Sequence, residues 1–127
     1  MLKSAFLLLI LFFVLELRSQ DQLGGELNYR FSKMQFFQYS AEQGEYNLSH
    51  QKEESGTITI QNIQKKVMIR TSDREKHFEL LRIEIEKDTF RTLHHLSSEG
   101  QKYVLAEGPR FLTLVSTDEK VIYTRTR

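Results

Sequence analysis

The sequence of 127 residues contains no cysteine, no tryptophan and a single proline. Without a thiol there is no disulfide, no thiolate metal site and no cysteine nucleophile. A bacterial lipoprotein needs a cysteine to carry its lipid, so anchoring of that kind is excluded too. Excess charge of either sign is also missing, with 18 basic residues against 17 acidic ones. Nucleic-acid binders need surplus Lys and Arg to displace counterions from phosphates, and this chain has none to spare. Nor is there a Gly-x-Ser-x-Gly elbow, a phosphate loop or a paired-histidine zinc helix. The length allows one domain, and a composition of 39% apolar and 28% charged residues is that of a folding globular chain.

What the sequence does have is unevenly spread. After Lys3 comes an uninterrupted apolar run over residues 5–15, followed by a polar exit through Glu16, Arg18, Ser19 and Gln20. The run is too short to cross a bilayer, where about 20 apolar residues are needed. A positive start, a short apolar stretch and a polar exit predict a signal-peptide helix over residues 1–20, cleaved after Ser19 or Gln20. An uncleaved membrane anchor and a buried core helix are the alternatives. Cleavage implies a secreted or periplasmic product, residues 21–127, with no stable membrane anchor. The removal of Lys3, Glu16 and Arg18 balances the charges, and the remainder is about one-third apolar, enough for one modest core. Asn47-Leu48-Ser49 is a formal glycosylation sequon.

Beyond residue 26 the pattern is strand and turn almost to the end. Residues 57–60 alternate with Ile58 and Ile60 on one face, and Val67 and Ile69 resume the alternation after a turn over 62–65. Leu81, Ile83 and Ile85 alternate with Arg82, Glu84 and Glu86, which predicts a strand whose apolar face is buried. Residues 90–96 place Phe90, Thr92, His94 and Leu96 on one face. Further strands follow over 103–106, 111–115 and 121–124, separated by Ser97-Ser98-Glu99-Gly100, by Glu107-Gly108-Pro109 and by Thr117-Asp118-Glu119. Residues 27–39 fit either a long strand with a bulge near Ser32-Lys33 or a helix. Residues 41–51 read as a loop or a short strand around Tyr46 and Leu48, with Gln43-Gly44 as its turn.

These gaps are too short for parallel crossovers. The expected fold is therefore all-β, an antiparallel meander of seven or eight short strands closed as a small barrel or folded as a sandwich. The strand 111–115 is apolar on both faces, so something is expected to cover its second face: the N-terminal segment, the far wall of a barrel, or a second subunit through an oligomer contact.

For chemistry, the candidates are few. His94 and His95 are adjacent on a strand and point to opposite faces, so they cannot chelate one metal. His94 is expected to be a half-buried pairing residue. Glu84 and Glu86, two residues apart, have the spacing of a carboxylate pair, but read as a solvated face bridged to Lys65, Lys66 or Arg70. No catalytic residue, metal ligand or cofactor is expected. The aromatics Tyr29, Phe31, Phe90, Tyr103, Phe111 and Tyr123 are expected inside, either filling a core or lining a small ligand cavity. The exported, meandering plan resembles the calycin group of ligand-binding barrels, although the N-terminal Gly-x-Trp signature of that group is missing and no site is carried over. The sequence thus points to a non-catalytic exported domain that binds a protein or envelope component through its surface, with a lipocalin-like carrier of a small apolar ligand as the alternative.

Overall fold

A computed structural model describes residues 25–126 of the chain; the expected signal peptide lies outside them. There are nine strands and, among the described residues, no helix: β1 (Glu26–Ser40), β2 (Glu45–Lys52), β3 (Gly56–Gln61), β4 (Lys66–Thr71), β5 (Glu75–Ile85), β6 (Thr92–Ser98), β7 (Gln101–Glu107), β8 (Phe111–Val115) and β9 (Glu119–Arg125). From β3 to β9 each strand pairs antiparallel with the next. The long β1 closes the ring, pairing with β3 through residues 26–31 and with β9 through residues 31–38. The result is an eight-stranded closed barrel, not a sandwich. The ninth strand, β2, pairs only with β1 and stands above the barrel rim on the edge that β3 takes lower down.

The segment that fitted both strand and helix is thus strand throughout. The register slip against β9 falls between Phe31 and Lys33, at the expected bulge. An extra residue bends and twists a strand. Here it lets one strand serve as both first and last stave of the barrel. A second slip, between Phe36 and Phe37, interrupts the pairing of β1 with β2, while β1 stays paired with β9 as far as Gln38.

Alternate residues of each strand point inward and fill the barrel. Phe31, Ile58, Ile60, Val67, Leu96, Leu105 and Leu112 lose essentially all their exposure. Packing is tight where β1 crosses β3. A Cβ on Gly56 would lie 2.4 Å from both the Phe31 ring and the backbone oxygen of Arg70.

Several expectations are corrected. In β5 the buried residues are Phe78 and Leu80, whereas Leu81, Ile83 and Ile85 are exposed. A bulge at Leu81 breaks the register against β6, and β5 continues beyond its last pairing with β4, Lys66 with Glu79, so one wall of its lower half is missing. Phe90 belongs to a loop and is 80% exposed, and Phe111 is 46% exposed because Leu112 and Leu114 take the inward positions of β8. The outer face of β8 is not covered by any described element. Where residues 41–51 read as a loop or a short strand, the chain forms the full strand β2, from Glu45 to Lys52.

The antiparallel order sends alternate loops to opposite ends. The lower end receives the entry of β1 and the loops 62–65, 86–91 and 108–110, carrying Lys65, Lys87, Arg91 and Arg110 against Glu26, Glu86 and Asp88. The upper loops carry Glu42, Glu53, Glu54, Asp73, Glu99 and Asp118 against Arg74 alone. A chain of near-zero net charge therefore folds into a barrel with an acidic upper end and a mildly basic lower one.

Gly56→Ala should lower stability by roughly 1–3 kcal/mol, since the new methyl must displace both a core ring and a backbone carbonyl. Urea unfolding followed by circular dichroism measures it; an unchanged midpoint would show that β1 and β3 can separate freely there.

Candidate functional site

The inward face of the lower barrel is not wholly apolar. His94 on β6 and Glu107 at the end of β7 lie on the same inner face, because His94 pairs with Leu105 and Glu107 is two residues further along. Tyr29 reaches them across the interior from β1. Its hydroxyl donates to one oxygen of the Glu107 carboxylate, and the other oxygen lies 2.6 Å from His94 Nε2. Arg125, last residue of β9, donates from Nη1 to the Gly108 carbonyl at 2.8 Å and stacks its guanidinium 4.6 Å from the centre of the Tyr29 ring.

Burial governs the protonation of this group. Removal from water pushes the imidazole of His94 down to about 4, with the neighbouring charge of His95 acting the same way. The carboxyl of Glu107 is pushed up by burial, and the cation of Arg125 opposes that rise. At neutral pH the consistent assignment is a neutral His94 whose Nε2–H donates to the Glu107 carboxylate. That leaves His94 Nδ1 as a buried acceptor, and it has no hydrogen-bond partner. His94 is therefore fully buried, not half-buried as its alternation with Thr92 and Leu96 suggested.

Chemically, the group can hold or pass a proton. Among the described residues, no hydroxyl is bonded to His94, so it lacks an activated nucleophile. Also among the described residues, no three His, Asp or Glu side chains are placed to hold a metal ion. Glu107 and Arg125 reach an open cleft of about 400 Å³ that they share with Thr92, Phe90 and Pro109. A polar molecule entering there would meet one carboxylate and one guanidinium.

The aromatics expected inside divide into two sets. Phe31 and Tyr123 pack together at 4.8 Å between ring centres, Tyr103 meets Phe78 edge-on at 5.2 Å, and Tyr29 belongs to the polar group above. Phe90 and Phe111 are on the surface. These rings fill the barrel and do not surround a shared chamber. A recess of about 270 Å³ lies at the upper mouth, between Met34, Phe36, Ile69 and Val121. Lys76 stands at that mouth with its ammonium 4.8 Å from the Tyr103 ring.

The two candidate carboxylates have other partners than those expected. Glu84 bonds His95 at 2.9 Å, Glu86 pairs with Arg91 at 3.0 Å within its own loop, and Arg70 pairs with Glu75. Reading along the sequence missed Glu107 and Arg125. A signal was there, since Glu107 extends the inward series Tyr103, Leu105 and Arg125 extends Val121, Tyr123 at the same period.

No family model matches the chain, and no curated protein or solved structure is similar enough to it to name a relative.

The site has two measurable consequences. His94 should remain neutral on acidification until pH approaches 4, visible as an imidazole carbon resonance with a midpoint well below the ordinary 6.5. Because the unfolded chain binds that proton first, the contribution of His94 to stability is complete above about 6.5 and is lost as pH falls toward about 4, while the raised carboxyl of Glu107 works in the opposite sense. In parallel, Glu107→Ala should cost about 2–4 kcal/mol, because it leaves the Tyr29 hydroxyl and the His94 Nε2–H buried without an acceptor. A loss below about 0.5 kcal/mol in urea titration would mean that water replaces the carboxylate freely.

Proposed function

We propose that the chain is an exported, non-catalytic binding domain that acts through the outside of its barrel. The supporting observation is the way the interior is used. Large side chains from every strand of the barrel occupy it, and the recess at its upper mouth, about 270 Å³, falls below the roughly 300–1,000 Å³ of ordinary small-ligand pockets, while the larger cleft at the lower mouth is open to solvent. Large apolar groups that a monomeric barrel has no need to expose are found on its surface instead. The polar group around His94 and Glu107 fits this reading as a fixed part of the wall, since its members are bonded chiefly to one another.

Export follows from the residues 1–20 pattern, and the partner in this reading is a component of the envelope or extracellular space. The carrier reading, of a small apolar ligand, keeps one supporting feature, the apolar lining of the upper recess by Met34, Phe36, Ile69 and Val121.

Native mass spectrometry of the protein purified from its host distinguishes the two. The surface reading expects the bare polypeptide mass, with an N-terminus at Gln20 or Asp21. A stoichiometric small molecule retained through purification would overturn it, and a product still starting at Met1 would overturn export by cleavage.

A further inference from the structure

Resting on that surface-acting reading, we propose that the lower end of the barrel is a docking surface for an anionic lipid bilayer. Among the described residues, the three most exposed large apolar side chains are Phe90 at 80%, Ile63 at 69% and Ile85 at 65%. All three are at the lower end: Ile63 in the β3–β4 loop, Ile85 at the tip of β5 and Phe90 in the β5–β6 loop. Ile83 stands beside Ile85 on the part of β5 that extends past β4, and Phe111 opens β8 at the same end.

Phe90 is held out by construction. Its φ is 55°, in the left-handed region, where a bulky side chain costs roughly 1–2 kcal/mol. The loop fixes it there: Phe90 N–H donates to the Glu86 carbonyl at 2.9 Å, Glu86 N–H donates to the Arg91 carbonyl at 2.9 Å, and Arg91 bridges the Glu86 carboxylate at 3.0 Å. That bridge holds the Glu86 carboxyl below its usual range. An apolar ring is thus kept in water, in a strained backbone, by a loop closed on itself. For an isolated barrel both features are unfavourable. For an end that inserts tips into an apolar layer, they place the largest tip in advance.

The electrostatics select the kind of layer. With Glu86 and Arg91 neutralising each other, the lower end keeps Lys65, Lys87 and Arg110 against Glu26 and Asp88. The cations stand among the apolar tips, while the acidic upper loops face away. Apolar tips on separate convex loops, with cations between them, match the boundary of acyl chains and negative headgroups. The cleft of about 400 Å³ beside Phe90 is lined by Thr92, Glu107, Pro109 and Arg125 and does not take in Ile63 or Ile85, so the apolar tips share no one groove that a peptide could fill.

The test uses the chain from Asp21 onward, which contains every strand pairing, floated with vesicles of phosphatidylglycerol and phosphatidylcholine or of phosphatidylcholine alone. Binding to the anionic vesicles is expected, weaker by about tenfold in high salt or without phosphatidylglycerol. Phe90→Gly is the decisive variant, since it relieves the left-handed strain. Its thermal midpoint should be unchanged or higher while vesicle binding drops by about tenfold. The double variant Lys87→Glu, Arg110→Glu should lose binding to a similar extent, and Leu48→Ser at the upper end should retain it. Absence of binding by the unaltered chain, or equal loss in Leu48→Ser and Phe90→Gly, would overturn lipid docking. Neither result bears on whether the barrel carries a small molecule, which mass spectrometry decides separately.

Discussion

Everything else in this fold depends on the double pairing of β1. At Phe31 the strand is matched to Gly56 of β3 on one side and to Arg125 of β9 on the other, so one residue carries the hydrogen-bonded circuit across its seam. The side chain at that seam is buried against Tyr123 and fits only because position 56 has no Cβ. Closure fixes the width of the interior, and the width decides what can fill it. Eight strands leave space for side chains and little more. It also brings Tyr29, at the start of the circuit, within reach of Glu107, which is near its end in the chain order.

The polar group at the lower mouth shows how a lean core manages a burial cost. With no disulfide to assist, the domain is held by packing and by its ladders. Even so, an imidazole and a carboxylate lie among its apolar side chains. Each would be costly alone. Together they are tolerable because His94 stays neutral, Glu107 receives two donors, and Arg125 stands close enough to favour the ionised carboxylate. The arrangement is nearly but not fully satisfied, since His94 Nδ1 is left without a partner.

The all-β antiparallel character was legible because period-two alternation is local. Ile58 with Ile60 and Val67 with Ile69 face the core where the pattern placed them. The bulge in β1 was legible from the shift of phase at Ser32-Lys33. What could not be read was which strands outrun their neighbours. The alternation of Leu81, Ile83 and Ile85 is as regular as any in the chain, yet it is exposed, because burial depends on β4 lying alongside and β4 ends too soon. Phe90 was misplaced for a related reason: alternation continues into the loop, but the backbone turns left-handed there and ends the strand's facing rule. At the site, the sequence offered the histidine and withheld its partners, since nothing local links His94 to Tyr29.

A closed barrel hides its strand edges, and among the described residues this one leaves two stretches open: the outer side of β2, and the part of β5 beyond Glu79, where β4 has ended. The consequence concerns the geometry of association. A sheet grows without limit only when each added unit brings two open edges, one to bind and one to offer. The bulge at Leu81 bends the open stretch of β5, so β2 is the regular edge on offer, and an edge joined to its like is used up. Should β2 meet its like in a crowded compartment, the ladder would end at a pair and could not extend into a fibre. The slip at Phe36 and Phe37, which leaves an unpaired residue at Ser49, further interrupts the flatness such a joint would need.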